Sequence, residues 1–292
     1  MSEIAPGEYE FSTSEGLLHY TVTGQGPACL VISGGPGAHP HYFEDLAGLT
    51  DTLTLVFLHP RGAGDSRFPN DADWSLTGYA RDVEALRQRL GLDRPLILGH
   101  SHGGFIAMRY AIMYPTHVGP LILFDTSARG LLEWDMETAI QPYADQPWFP
   151  TARVELALEI TAETTPEEAA RNLQAVMPFY FAQLTPDVAA YGARVGTLPY
   201  STAPQIYGAD VNGFQTDQRP DLPSINTPTL VLVGRHDFIH NVEMAEEIAR
   251  LIPGAELVIF EQSGHFAFVE ERARFHAVVR DFVQRMASPV SA

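Results

Sequence analysis

Lysine is missing from this chain: all 18 basic residues are arginines, set against 36 acidic ones for a formal charge of −18. Its absence excludes a Schiff-base lysine and the Walker-type phosphate loop. A field of that sign repels phosphate backbones and anionic membranes, so neither nucleic acid nor a membrane is expected as a partner. Cysteine is almost missing too. Cys29 stands alone, which rules out a disulfide within the chain and suits a reducing compartment. A lone cysteine of this kind reads as a small buried apolar residue. No apolar run approaches the ~18 residues of a membrane span, and the opening "MSEIAPGEYEF" has no basic stretch leading into an apolar one. The expectation is a soluble, cytoplasmic protein.

What is present is an alternation of short apolar runs with helical patterns. "LLHYTVTG" (17–24), "ACLVIS" (28–33), "LTLVFLH" (53–59), "PLILGH" (95–100) and "GPLILFD" (119–125) read as strands, followed later by "TLVLVG" (229–234) and "AELVIF" (255–260). Several are apolar at successive positions, as parallel strands buried on both faces are. Between them, residues 75–91 place Tyr79, Val83, Leu86 and Leu90 on one helical stripe behind a Ser75 cap, and 271–286 turns Phe275, Val278, Val279 and Phe282 inward. Strand and helix alternating in this way imply a mostly parallel sheet with helices on both faces, an α/β class. The rhythm breaks between 127 and 223, where buried strands are missing, aromatics abound and "TPEEAARNLQAVM" (165–177) is helical. Residues 1–126 and 224–292 are therefore expected to form one core, and 127–223 a mostly helical cap over it.

In an open parallel sheet, functional groups collect beyond the carboxyl ends of the strands. Gly99-His100-Ser101-His102-Gly103 sits at such an end, between "PLIL" and a helical pattern, which is the setting of a nucleophile elbow. A serine hydroxyl is a poor nucleophile without a base and a group to orient that base. Asp237 follows "TLVLVG" and His265 follows "AELVIF", so Ser101, Asp237 and His265 occur in the chain order of a serine, acid and histidine triad. Two backbone N–H groups are needed to hold an oxyanion. One is expected from His102, just after the serine, and the other from Gly35 in "SGGPG" (33–37). Gly34, His59, Trp134, Phe179, Tyr180 and Phe266 are the candidate substrate contacts. Arg61 reads as an ion-pair partner. His39 and His41 repeat the i, i+2 spacing of His100 and His102, but no carboxylate or thiolate set accompanies either pair, so neither a metal nor a cofactor is expected.

With those residues in place the chain resembles the α/β-hydrolase superfamily over nearly its whole length, and more narrowly it is similar to the proline iminopeptidase family. "GGPG" (34–37), "RGAGDS" (61–66), "GHSHGG" (99–104), "GRHD" (234–237) and "GHFAF" (264–268) match that family's blocks in order. It departs from them at Ser33, where they have histidine, at His59, where they have aspartate, and at His102, where they have tryptophan. The resemblance also implies a cap glutamate that holds a substrate's free amino group. Met177 stands at the nearest ungapped match, leaving Glu133, Glu137 and Asp210 as carboxylates that could replace it. The activity implied is acyl transfer on a small molecule or short peptide. The leading expectation is a serine hydrolase that removes an N-terminal residue, often proline, from small peptides; the alternative is a carboxylesterase or lactonase acting on small apolar acyl groups, and a ligand-binding protein on a hydrolase scaffold ranks behind both. Whether the chain forms a homo-oligomer is also open. A serine at 101 sets it apart from haloalkane dehalogenases and epoxide hydrolases, which resemble this fold but use an aspartate nucleophile.

Overall fold

A computed structural model of the chain describes residues 4–130, 135–158, 161, 163–208 and 216–287. Eight strands form one sheet: β1 (Gly7–Ser12), β2 (Leu17–Gly24), β3 (Ala28–Ile32), β4 (Thr54–His59), β5 (Leu96–His100), β6 (Leu121–Phe124), β7 (Thr229–Gly234) and β8 (Glu256–Phe260). Their spatial order is β1-β2-β4-β3-β5-β6-β7-β8. The first two strands run antiparallel, and every pairing from β4 onward in that order is parallel.

Strand periodicity explains why the central runs are apolar throughout. Leu30, Ile32, Val56, Leu58 and Ile97 face one core layer, and Cys29, Val31, Leu55, Phe57 and Leu98 face the other. The first layer is covered by α1 (Leu76–Arg89), α2 (His102–Met113) and α8 (Val242–Leu251), the second by α10 (Arg272–Ala287), with the short α9 (Ala267–Glu270) leading into it. Ser75 caps α1, its hydroxyl accepting from the Gly78 amide at 3.3 Å. On α10, Phe275, Val279 and Phe282 are buried as the stripe predicts.

One strand escapes the sequence reading. The segment "GEYEFS" of β1 is exposed along most of its length, so it carries no alternation of buried and open positions. It is held by its ladder to β2 and by Tyr9 stacking on Tyr20 at 5.2 Å.

Between β6 and β7 the described residues contribute α3 (Met136–Ile140), α4 (Phe149–Leu156), α5 (Pro166–Val176), α6 (Pro186–Val195) and α7 (Ala203–Gly208), and none of them joins the sheet as a strand. A capping box starts α5, in which Thr165 and Glu168 satisfy each other's amides. Ile140, Phe149, Ala152, Val176 and Phe179 form a small core for this segment, closed by Phe238 from the loop after β7. Among the described residues no helix is long and apolar enough to cross a membrane.

Candidate active site

Ser101 joins β5 to α2 with φ 55° and ψ −123°, a conformation that a residue with a side chain adopts only when its surroundings enforce it. Its amide donates to Phe124 O at 2.9 Å, while its carbonyl accepts from the Gly104 amide at 2.9 Å and from the Thr126 hydroxyl at 2.8 Å. Steric limits explain the glycines around it. A Cβ on Gly99 would run into Gly103 O, one on Gly103 into Ile32 O, and one on Gly104 into the side chain of Thr126.

Asp237 lies just past β7 and His265 just past β8. The His265 Nδ1–H donates to Asp237 Oδ2 at 2.7 Å, and Asp237 Oδ1 accepts from the amides of Ile239 and His240 at 2.8 and 3.1 Å. Burial alone would raise the Asp237 carboxyl. The imidazole and the amides outweigh burial and hold it below the usual carboxylate range. With Nδ1 turned to the acid, Nε2 of His265 is the nitrogen left to act as a base; Ser101 and His265 line the same cavity.

A second carboxyl lies beneath this pair. Asp125, after β6, is fully buried and accepts from the Gly234 amide at 2.8 Å. Burial, and then the charge of Asp237, push it well above the carboxylate range, so it is protonated beside an ionised neighbour.

The loop after β3 meets Ser101 from the other side. The Gly34 amide donates inward to Tyr42 Oη at 2.8 Å, Tyr42 Oη lies 2.6 Å from His100 Nδ1, and His100 Nε2 lies 3.0 Å from His265 O. One tautomer satisfies all three contacts: the hydroxyl donates to Nδ1 and Nε2–H donates to the carbonyl. Burial holds His100 well below the ordinary histidine value, so the ring is neutral. Gly35, at φ 121°, is exposed on the cavity wall, and its amide has no acceptor among the described residues. His102 opens α2, so its amide is one of the donors at the positive end of that helix.

The cavity above Ser101 has a volume of about 240 Å³. Its apolar walls include Pro36, Ala38, Phe105, Met136, Leu173, Met177, Val195 and Ile239, and no carboxylate lines it among the described residues. Of the candidate contacts, Gly34, Tyr180 and Phe266 line it.

Two candidate contacts lie elsewhere. His59 is fully buried away from the cavity, with Nδ1 held by the Asp65 amide at 3.0 Å. Phe179 points into the core between α3, α4 and α5, where Trp148, Phe149 and Phe238 surround it. Trp134, Glu133 and Asp210 lie outside the described residues. Glu137 is exposed and paired with Arg153 at 2.9 Å, apart from the cavity. Arg61 is buried and binds Asp82 through two nitrogens at 2.7 and 2.8 Å.

The structure adds His240, which sequence reasoning passed over. It is 3% exposed, stacks on His265 at 5.7 Å, and neither ring nitrogen has a hydrogen-bond partner among the described residues. Burial lowers it to about 3, so it is a neutral ring on the cavity wall. The segment between β6 and β7 is tied to the His265 loop: the His265 amide donates to Tyr180 O at 2.7 Å. Glu270 accepts from the amides of Ala182 and Gly264 at 2.8 and 2.7 Å, and burial raises it to about 7.

Residues 27–272 match a family described as alpha/beta hydrolase fold. A proline iminopeptidase of Saccharolobus solfataricus is 28% identical over 92% of this chain and 88% of its own length. Among solved structures, an esterase from Exiguobacterium antarcticum superposes with a TM-score of 0.73 at 22% identity, covering 92% of this chain and 96% of its own. An enol-lactonase from Burkholderia xenovorans also gives 0.73 at 22% identity, over 94% of this chain and 100% of its own. At those identities the two structures bear on the fold alone.

Proposed function

The chain belongs to the α/β-hydrolase family, and on that premise we propose that it hydrolyses carboxylic esters of small apolar acids through an acyl-enzyme on Ser101. The observation that carries this reading is the cavity wall: largely apolar away from its histidines and tyrosines, without a carboxylate among the described residues, and formed in part by Met177 where the iminopeptidase resemblance implies a glutamate. An ester needs no counter-ion, whereas a substrate's free ammonium desolvated in such a cavity would be left unpaired.

In this mechanism the Ser101 Oγ–H proton passes to His265 Nε2 as the Oγ–carbonyl carbon bond forms. The amides of Gly35 and His102 receive the oxyanion. As the bond to the leaving oxygen breaks, His265 returns the proton to it, and water then releases the acid by the same route. Asp237 keeps His265 in the tautomer with Nε2 free. Gly34, Tyr180 and Phe266 bound the acyl group. The single buried cysteine suits the cytoplasm, where we place the enzyme.

A second reading, release of an N-terminal residue, is favoured by the likeness to a curated proline iminopeptidase over most of the chain. An assay of p-nitrophenyl acetate and butyrate beside prolyl-p-nitroanilide separates the two. Ester cleavage alone is expected, and it should fall at least about a thousandfold in Ser101→Ala. Efficient release of nitroaniline from the prolyl substrate would return the assignment to the peptidase.

A further inference from the structure

Four histidines that bear no part in the proposed reaction are gathered around one carboxylate. His19 on β2 is the register partner of His59 on β4, and their rings are 4.5 Å apart. His39 and His41, from the loop after β3, place their rings 5.0 and 5.8 Å from that of His59. Asp65 Oδ2 lies 4.0 Å from His19 Nδ1, 3.7 Å from His39 Nε2 and 3.6 Å from His59 Nδ1. The i, i+2 spacing of His39 and His41 carries no carboxylate of its own; the fold supplies one from the loop after β4.

The protons decide which nitrogens are available. The Asp65 amide donates to His59 Nδ1 at 3.0 Å, so that nitrogen carries its lone pair, and the Nε2–H faces Thr21 Oγ1 at 3.4 Å. A metal-bound imidazole has the same tautomer, with one nitrogen carrying a lone pair and the other anchored to an oxygen; here the lone pair of Nδ1 is taken up by the Asp65 amide. His19 Nδ1 is buried and has no hydrogen-bond partner among the described residues, an arrangement that proteins rarely leave uncompensated. His39 differs: its Nδ1 accepts from the His41 amide at 3.2 Å, which leaves an N–H, not a lone pair, directed at Asp65.

We propose that His19 Nδ1, His59 Nδ1 and Asp65 Oδ2 form a binding site for a divalent transition-metal ion of the zinc class. One ligand atom from each of these three residues lies within 4.8 Å of the others. Ligands at the usual ~2.0–2.2 Å from a tetrahedral zinc are about 3.3–3.6 Å apart; the Asp65 Oδ2–His59 Nδ1 contact at 3.6 Å already has that spacing, and the Asp65 Oδ2–His19 Nδ1 contact at 4.0 Å has to shorten. Asp65 is exposed and free to turn inward, and His59 exchanges an amide contact for the ion. Water or the exposed His41 completes the coordination. Two imidazoles and a carboxylate, with no thiolate, suit zinc, cobalt or nickel ahead of calcium or magnesium. A bound ion would fasten the loop after β4 to the β2–β4 ladder, next to the loop that carries Gly35.

The full chain, stripped with chelator and dialysed, is titrated with Co(II) while the visible d–d absorption is recorded, and with Zn(II) in competition. One equivalent should bind in the micromolar range or tighter. Asp65→Ala, at an exposed position that leaves the fold intact, should weaken binding by at least about tenfold, and His19→Asn should do the same. His240→Asn should leave it unchanged. Absence of binding, binding that survives Asp65→Ala, or binding lost in His240→Asn, which would put the ion on Asp237, His240 and His265, each overturns the proposal.

Discussion

The Tyr42 hydroxyl and His100 Nδ1, 58 positions apart in the chain, meet at 2.6 Å and join the glycine loop after β3 to the loop of His265. Tyr42→Phe removes the acceptor of the buried Gly34 amide and the donor to His100. The variant is expected to lose about 1–3 kcal/mol of stability in urea denaturation. Turnover should fall by about ten- to a hundredfold, because the loop of Gly35 and that of His265 lose their common reference. Lower stability with unchanged turnover would reduce the contact to a purely structural one.

Asp125 and Asp237 differ in protonation, and amide substitutions read that difference. Asparagine imitates a neutral carboxyl, so Asp125→Asn should keep its turnover within about tenfold. Asp237→Asn removes the charge that orients His265 and should lower kcat by about 10⁴. Ester hydrolysis by the two variants at pH 8 tests this, and equal losses would contradict the assignment.

His240 is lowered by burial to about 3, against roughly 6.5 in an unfolded chain. The unfolded state therefore takes up the proton first. The neutral ring's contribution to stability is complete above about pH 6.5 and is lost as pH falls toward 3. Between those limits, the stability of the wild type relative to His240→Asn should decline by about 1.4 kcal/mol per pH unit. Urea denaturation of both proteins at pH 6, 5 and 4 gives the slope; a constant difference would refute it.

The buried Arg61–Asp82 pair predicts an asymmetry between single and double substitutions. Asp82→Ala leaves a buried guanidinium short of its main partner and should cost about 3–5 kcal/mol. Replacing Arg61 and Asp82 together with methionine and leucine should cost less than the single change. Denaturation midpoints of the two variants decide it.

The strand ends were legible because parallel strands buried on both faces leave unbroken apolar runs, and the residue that follows each run is where chemistry collects. That reasoning placed Ser101, Asp237 and His265 at the ends of β5, β7 and β8, and the stripes of α1 and α10 were readable from period alone. It could not locate Tyr42, His100's partner, because a 3₁₀ turn carries no period. Asp125 also ends a strand and is buried like Asp237; the contacts to His265 and to the amides of Ile239 and His240, which only the fold reveals, separate the two. His59 and Phe179 were misplaced for a related reason: residues of the right type near the right sheet edge can still turn their side chains away, one to a histidine cluster and the other to a separate aromatic core. For β1, two wet faces left no pattern to read.

The contacts that fasten Tyr180 and Ala182 to the His265 loop have a mechanical consequence. Those contacts couple this part of the cavity wall to the His265 loop, so lifting it to admit a substrate would carry the imidazole away from Ser101. Entry and exit are left to a part of the wall away from these contacts, such as that lined by Met136 of α3. A tether across that side should therefore slow turnover without altering the pH profile of the chemical step, whereas loosening Glu270 should disturb both.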